Sequence, residues 1–234
     1  MLRGGLLTFG HALFYATGAY TVGFMVKYFG VQELLIVLPL GALTGFIMAA
    51  LVGLIMARYR EVFFAMLNLA FSMMLFGALL KFYRVTNGTD GLPIGTPTLL
   101  GFEIDSDSLS FYYFSLVIVA IVAYVIHRFM ASPNGFYLRA LHDNEIRIEY
   151  SGVSVRQVVY RTYILAGTLG GVSGVLAAFT IGHIVPEDAF WIQSGQFVFV
   201  ALLGGFGGLA GPLMGSFVFE FMETYASNFL PLDW

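Results

Sequence analysis

Five long apolar runs dictate what this chain can fold into. They cover about 8–27, 33–56, 62–83, 111–131 and 158–182, and a sixth, glycine-interrupted stretch covers about 195–228. A helix needs roughly 20 predominantly apolar residues to cross the hydrocarbon layer, and each run approaches that length. Only 11% of the residues are charged, against about 25% in an ordinary soluble domain. Strand-like alternation is lacking, which argues against an outer-membrane barrel. The sequence therefore predicts an all-α, polytopic helical membrane protein forming a single domain over 1–234. A net charge of −3 provides no basic surface for nucleic acid. The absence of cysteine excludes disulfides, thiolate metal sites and cysteine nucleophiles. Arg3 precedes the first run, but glycines break that run and it continues to Val26. It reads as a retained membrane segment rather than a cleaved signal.

The connections alternate in charge. Arg58 and Arg60 follow the second run, and Arg128, Arg139, Arg147, Arg156 and Arg161 surround the connection between the fourth and fifth. The remaining loops carry Asp90, Glu103, Asp105 and Asp107, then Glu187 and Asp188. By the positive-inside rule the arginine-rich side is cytoplasmic, and 84–110 and 183–194 face outward. One cytoplasmic stretch, "GFYLRALHDNEIRIEYSGVSV" (135–155), concentrates two arginines, three carboxylates and a histidine among residues 135–150. Leu138, Leu141 and Ile148 mark one side of an expected short helix, and Arg139, Asp143 and Arg147 recur every four residues on another. Two readings stand for it: a solvated helix along the membrane, or a docking helix whose apolar anchors enter a partner's groove while its charges set the register.

Glycines point to close helix packing and to broken segments. Gly41, Gly45, Ala49 and Gly53 form one stripe, and Gly167/Gly171 with Gly170/Gly174 form overlapping G-x-x-x-G pairs. "LLGGFGGLAGP" (202–212) cannot be one straight helix and predicts a break or re-entrant turn. It shares a pattern with "FGHALFYATGA" (9–19): F-G, seven residues, then glycine and a small residue. That leaves open an inverted repeat, with the substrate path beside the breaks. Gly10, Gly18, Gly204, Gly205, Gly207, Gly211, Pro212 and Gly215 are its candidate residues.

Enzyme chemistry finds little footing. "GVSG" (171–174) matches the nucleophile pattern of intramembrane serine proteases, but the downstream His183 would lie roughly 15 Å along the same helix. His11 is the other histidine that could approach Ser173, and nothing else supports such a dyad. Lys27 and Lys81 follow no phosphate-binding loop, and no side-chain spacing suggests a metal or cofactor. His11, Lys81, Glu220 and Glu223 are the ionisable groups in or near the runs. The two glutamates suit either ion coupling or an interfacial position.

The chain resembles the permease subunits of ATP-binding cassette importers for branched-chain amino acids, the LivM-type family. "LLTFGHALFYATGAYT", "REVFFAMLNLAFSMML", "TNGTDGLPIG", the 135–155 segment and "ALLGGFGGLAGPLMGSF" are similar to that family's blocks in order and spacing. The resemblance implies a multi-pass subunit of a bacterial or archaeal cytoplasmic (inner) membrane, embedded in lipid, that transports without catalysing a reaction. It also implies a homologous second permease subunit, two cytoplasmic ATP-binding subunits and an external solute-binding protein as partners. Leu138, Arg139, Leu141, Asp143, Asn144, Glu145, Arg147 and Gly152 would then form the ATPase-coupling segment. Tyr150 stands where the family usually has a small residue. The family pattern also has a helix before the first block and another after the last, so the sequence is read as lacking both, by truncation or because they are supplied elsewhere. Import of urea or short amides, or ion-coupled secondary transport, are the alternative readings.

Overall fold

The computed structural model of the chain describes residues 1, 4–104, 108–205, 208 and 210–229. It is a helical bundle. The first helix, α1 (His11–Phe24), runs into a π turn at Met25–Phe29. Helices α2 (Leu34–Met56) and α3 (Glu61–Lys81) follow, then a single turn, α4 (Tyr83–Thr86). A loop region holds short strands β1 (Leu92–Pro93), β2 (Thr98–Leu99) and β3 (Phe102–Glu103). Next come α5 (Leu109–Met130), two short helices α6 (Pro133–Asp143) and α7 (Glu145–Tyr150), and the long α8 (Val155–Ile181). Strand β4 (His183–Ile184) leads to α9 (Trp191–Gly204) and α10 (Ala210–Phe229). Among the described residues, α2, α3, α5 and α8 are long and apolar enough to cross a bilayer. The all-α, polytopic expectation holds.

Helix α8 organises the bundle through glycine. Its two G-x-x-x-G pairs serve different neighbours. A side chain at Gly167 would run into Ala49 of α2, and one at Gly171 into the backbone of Gly41 and Gly45. On the adjoining face, Gly170 lies under Phe14 of α1, and Gly174 under the backbone of Tyr15 and Ala19. Gly18 of α1 in turn sits on the Gly171 backbone. Lipid supplies no hydrophobic drive between helices, so close backbone approach and its dispersion contacts have to hold them together. α1 is consequently wrapped on nearly all sides; Ala12, Phe14, Ala16 and Val22 are essentially inaccessible.

Buried polar pairs add direction to this packing. The Thr21 and Thr44 hydroxyls share a hydrogen bond of 2.8 Å between α1 and α2. Tyr163 of α8 donates to Asn68 Oδ1 of α3 at 2.6 Å, and Asn68 Nδ2 returns to the Phe64 carbonyl. The Ser72 hydroxyl reaches the Ala189 carbonyl at 2.7 Å. That contact places the segment before α9 well inside the bundle, near the midpoint of α3.

The two ends of the bundle differ. At one end β1 pairs antiparallel with β4, Leu92 opposite Ile184 and Pro93 opposite His183. There Lys27 Nζ donates to the Val85 carbonyl and to Asn87 Oδ1, and Glu33 accepts from the Thr98 hydroxyl and the Leu100 and Gly101 N–H groups. Desolvation raises the Glu33 carboxyl, but the three hydrogen bonds together outweigh it and hold it below its ordinary value of 4.5. The opposite, arginine-bearing end carries α6 and α7.

Four outcomes follow. Gly171→Leu should destabilise the protein by roughly 1–3 kcal/mol or more through overpacking. Gly77→Leu, at a position with open space around it, should leave the melting temperature in detergent unchanged. Tyr163→Phe removes the donor to a buried Asn68 oxygen and should cost about 1–3 kcal/mol in the same measurement. A depressed carboxyl stabilises above its unfolded value and loses that contribution as pH falls through the folded one. Limited proteolysis at 98–101 should therefore stay slow above pH 4.5 and accelerate below it, and Glu33→Gln should remove that pH dependence.

Candidate functional site

Two short helices begin inside the bundle rather than at its ends. α9 has 14 residues, about 21 Å at 1.5 Å per residue and too short to cross the hydrocarbon core alone, and α1 has 14 before its π turn. Gly10, just before α1, is seated on the Asn68 backbone of α3. The Ala12 N–H, unpaired within its own helix, donates to Ser194 Oγ in the first turn of α9 at 2.9 Å. The two helix starts thus meet each other, and a serine fully buried at that point satisfies a backbone donor that lipid could not.

Below this junction lies a cleft of about 590 Å³. Thr8 and His11 line it near the α1 start, with Thr8 Oγ1 hydrogen-bonded to His11 Nδ1. Ile126, His127 and Met130 of α5 line one side; Phe197, Val198 and Ala201 of α9 line another. Leu138 and Arg139 of α6, Gly205 and Gly208 of the α9–α10 connection and Pro212 in the first turn of α10 complete it toward the arginine-bearing end. His127 and Arg139 are exposed, whereas Thr8 is 4% exposed. The lining is mostly apolar with a few basic or hydroxyl groups, and among the described residues it has no carboxylate.

The predicted break is present. α9 stops at Gly204, Gly205 takes a left-handed φ of 73°, and α10 starts at Ala210. Gly204, Gly211 and Gly215 press together backbone to backbone, so they hold α9 against α10. Gly10 and Gly18 are likewise used up in contacts with Asn68 and Gly171. Of the path candidates, Gly205 and Pro212 line the cleft, and Gly207 lies outside the described residues, as does Phe206 of the second F-G pattern.

The charged 135–155 segment differs from its expectation in three ways. It forms two helices, because Asn144 adopts an extended conformation and its Oδ1 accepts from Arg147 N–H, capping α7. The four-residue charge ladder is not made: Arg139 donates instead to the Gly135 carbonyl of its own helix and to the Met130 carbonyl at the end of α5, where acceptors stand free. Leu138, Leu141 and Ile148 are buried in this chain's own core, clustered with Leu6, Val155 and Val159, and do not face a partner. What faces outward is Phe136, Ile146 and Tyr150, the last 88% exposed, together with Asp143 and Arg147. Glu145 is anchored by Arg60, 2.9 Å away at the start of α3, and Gly152 closes the segment with φ 84°.

Sequence reasoning missed the Ser194 cap, the Arg60–Glu145 pair and the place of His127 in the cleft, all joined across long sequence separations. His11 was visible as an ionisable group in an apolar run. Ser173, the nucleophile candidate, is exposed and donates to the Gly170 carbonyl of its own helix.

Comparison with known proteins agrees with this architecture. The family model described as the branched-chain amino acid transport system permease component matches residues 1–234. The high-affinity branched-chain amino acid transport permease LivM of Escherichia coli (strain K12) is 28% identical over 226 residues, covering 87% of this chain and 53% of the relative. The guanosine ABC transporter permease NupP of Bacillus subtilis (strain 168) is 34% identical over 92 residues, 38% of this chain and 26% of the relative. The ribose import permease RbsC of Haemophilus influenzae is 23% identical over 218 residues, 85% of this chain and 62% of the relative. No solved structure matches. The chain spans about half the length of the LivM relatives it matches. With its apolar helices, broken segment and whole-length match, this multi-pass membrane protein belongs to the permease-component family of branched-chain amino acid transport systems.

Proposed function

We propose that the chain is the membrane subunit of an ATP-driven importer of branched-chain amino acids, powered by ATPases on separate chains. The observation that carries this reading is how α6 and α7 are mounted. Their apolar residues are stapled to the first turn of α8, and Arg60–Glu145 ties them to α3. Their outer face presents Phe136, Ile146 and Tyr150 beside charged groups. A solvated surface loop gains nothing by exposing such residues, whereas an ATPase groove does. Coupling requires that the ATP-bound partner favour one bundle conformation over another. The cleft is then the inward half of the path, opening on the cytoplasmic side of the inner membrane, and a solute-binding protein and a second permease would complete the machine.

Similarity to a guanosine permease supports a second cargo, purine nucleosides. A chain without cysteine permits a direct test. Tyr150→Cys in the assembled complex should cross-link to the ATPase, and labelled leucine uptake should stop when that ATPase is inactivated. Uptake that survives ATPase inactivation and collapses with a proton ionophore would refute the ATP-driven reading. Competition by guanosine in place of leucine would select the second cargo.

A further inference from the structure

We infer that the cleft recognises its cargo as a carboxylate joined to a branched apolar chain, with His11 and Arg139 as the specificity-determining residues. The inference rests on the proposed transport reading and deepens it by assigning residues to the cargo. A free amino acid offers three groups: a carboxylate, an ammonium and a side chain. The cleft answers two of them. Phe197, Val198 and Ile126 provide an apolar wall of the kind that buries an aliphatic side chain at roughly 25 cal/mol per Å². His11, His127 and Arg139 are the ionisable side chains in the lining. An arginine guanidinium carries five N–H donors, and a neutral imidazole carries one. Two Arg139 donors are engaged with carbonyls, which holds its guanidinium in place at the cleft. His11 is oriented by its bond to the buried Thr8.

For the ammonium there is no countercharge, since no aspartate or glutamate lines the cleft among the described residues. At the helix start, Ala12 N–H is already taken by Ser194 and Leu13 N–H by the Gly10 carbonyl. The size fits as well: about 590 Å³ lies within the range of small-molecule sites, roughly 300–1,000 Å³.

The test uses the assembled complex with Ala201→Cys in this otherwise cysteine-free chain, and reads the rate of maleimide labelling in the cleft. Leucine and isocaproate, which lacks the ammonium, should each slow labelling; isoamylamine, which lacks the carboxylate, should not. Arg139→Gln and His11→Gln should each weaken protection by isocaproate about fivefold or more, as expected for losing one charge-assisted or oriented hydrogen bond. Equal protection by isoamylamine, no protection by isocaproate, or protection unchanged in both variants would overturn the inference. Protection that appears only with phosphatidylglycerol, whatever the solute, would assign the cleft to an anionic lipid and overturn it too. Labelling does not depend on uptake, so a failed importer reading and a failed recognition reading give different results.

Discussion

Close backbone contact along α8 is the constraint from which the rest of this bundle follows. Two glycine ladders on neighbouring faces of one helix let α1 and α2 approach at the same time. Because α1 is gripped this way, it can be short, begin inside the bundle and still be held in a fixed position. Its buried start then needs a hydrogen-bond acceptor, and Ser194 supplies one from a second short helix. The cleft beneath the junction exists because α1 does not continue into that space, while α9 runs on from Ser194 to form one of its walls.

Much of this architecture was legible. Membrane-length apolar runs announce themselves by composition, and Gly205 and Pro212 predict a break wherever they fall in such a run. The i, i+4 glycines of α8 announce close packing but not which neighbour each serves, since that depends on helix rotation in the assembled bundle. The charged 135–155 segment shows the limit most clearly. Its apolar positions were correctly seen as a face, but a sequence cannot tell whether a face meets a partner or its own protein. Leu138, Leu141 and Ile148 turn inward because Leu6 and the start of α8 offer them a closer apolar surface.

The cleft was the least legible feature. Its polar groups come from the start of α1, the end of α5 and the middle of α6, each unremarkable in its local context. His11 stood out as an ionisable residue in an apolar run, while His127 looked like one more basic residue at a helix end. Only folding brings them to a common space with Arg139.

Helix α8 has one further property. It runs unbroken for 27 residues, about 40 Å at 1.5 Å per residue. One tip is welded to the Leu138–Ile148 cluster, and the other passes through Gly182 straight into the strand that clasps Leu92. As one continuous helix held at both tips, it joins the α6–α7 face on one side to the Leu92–Ile184 clasp on the other.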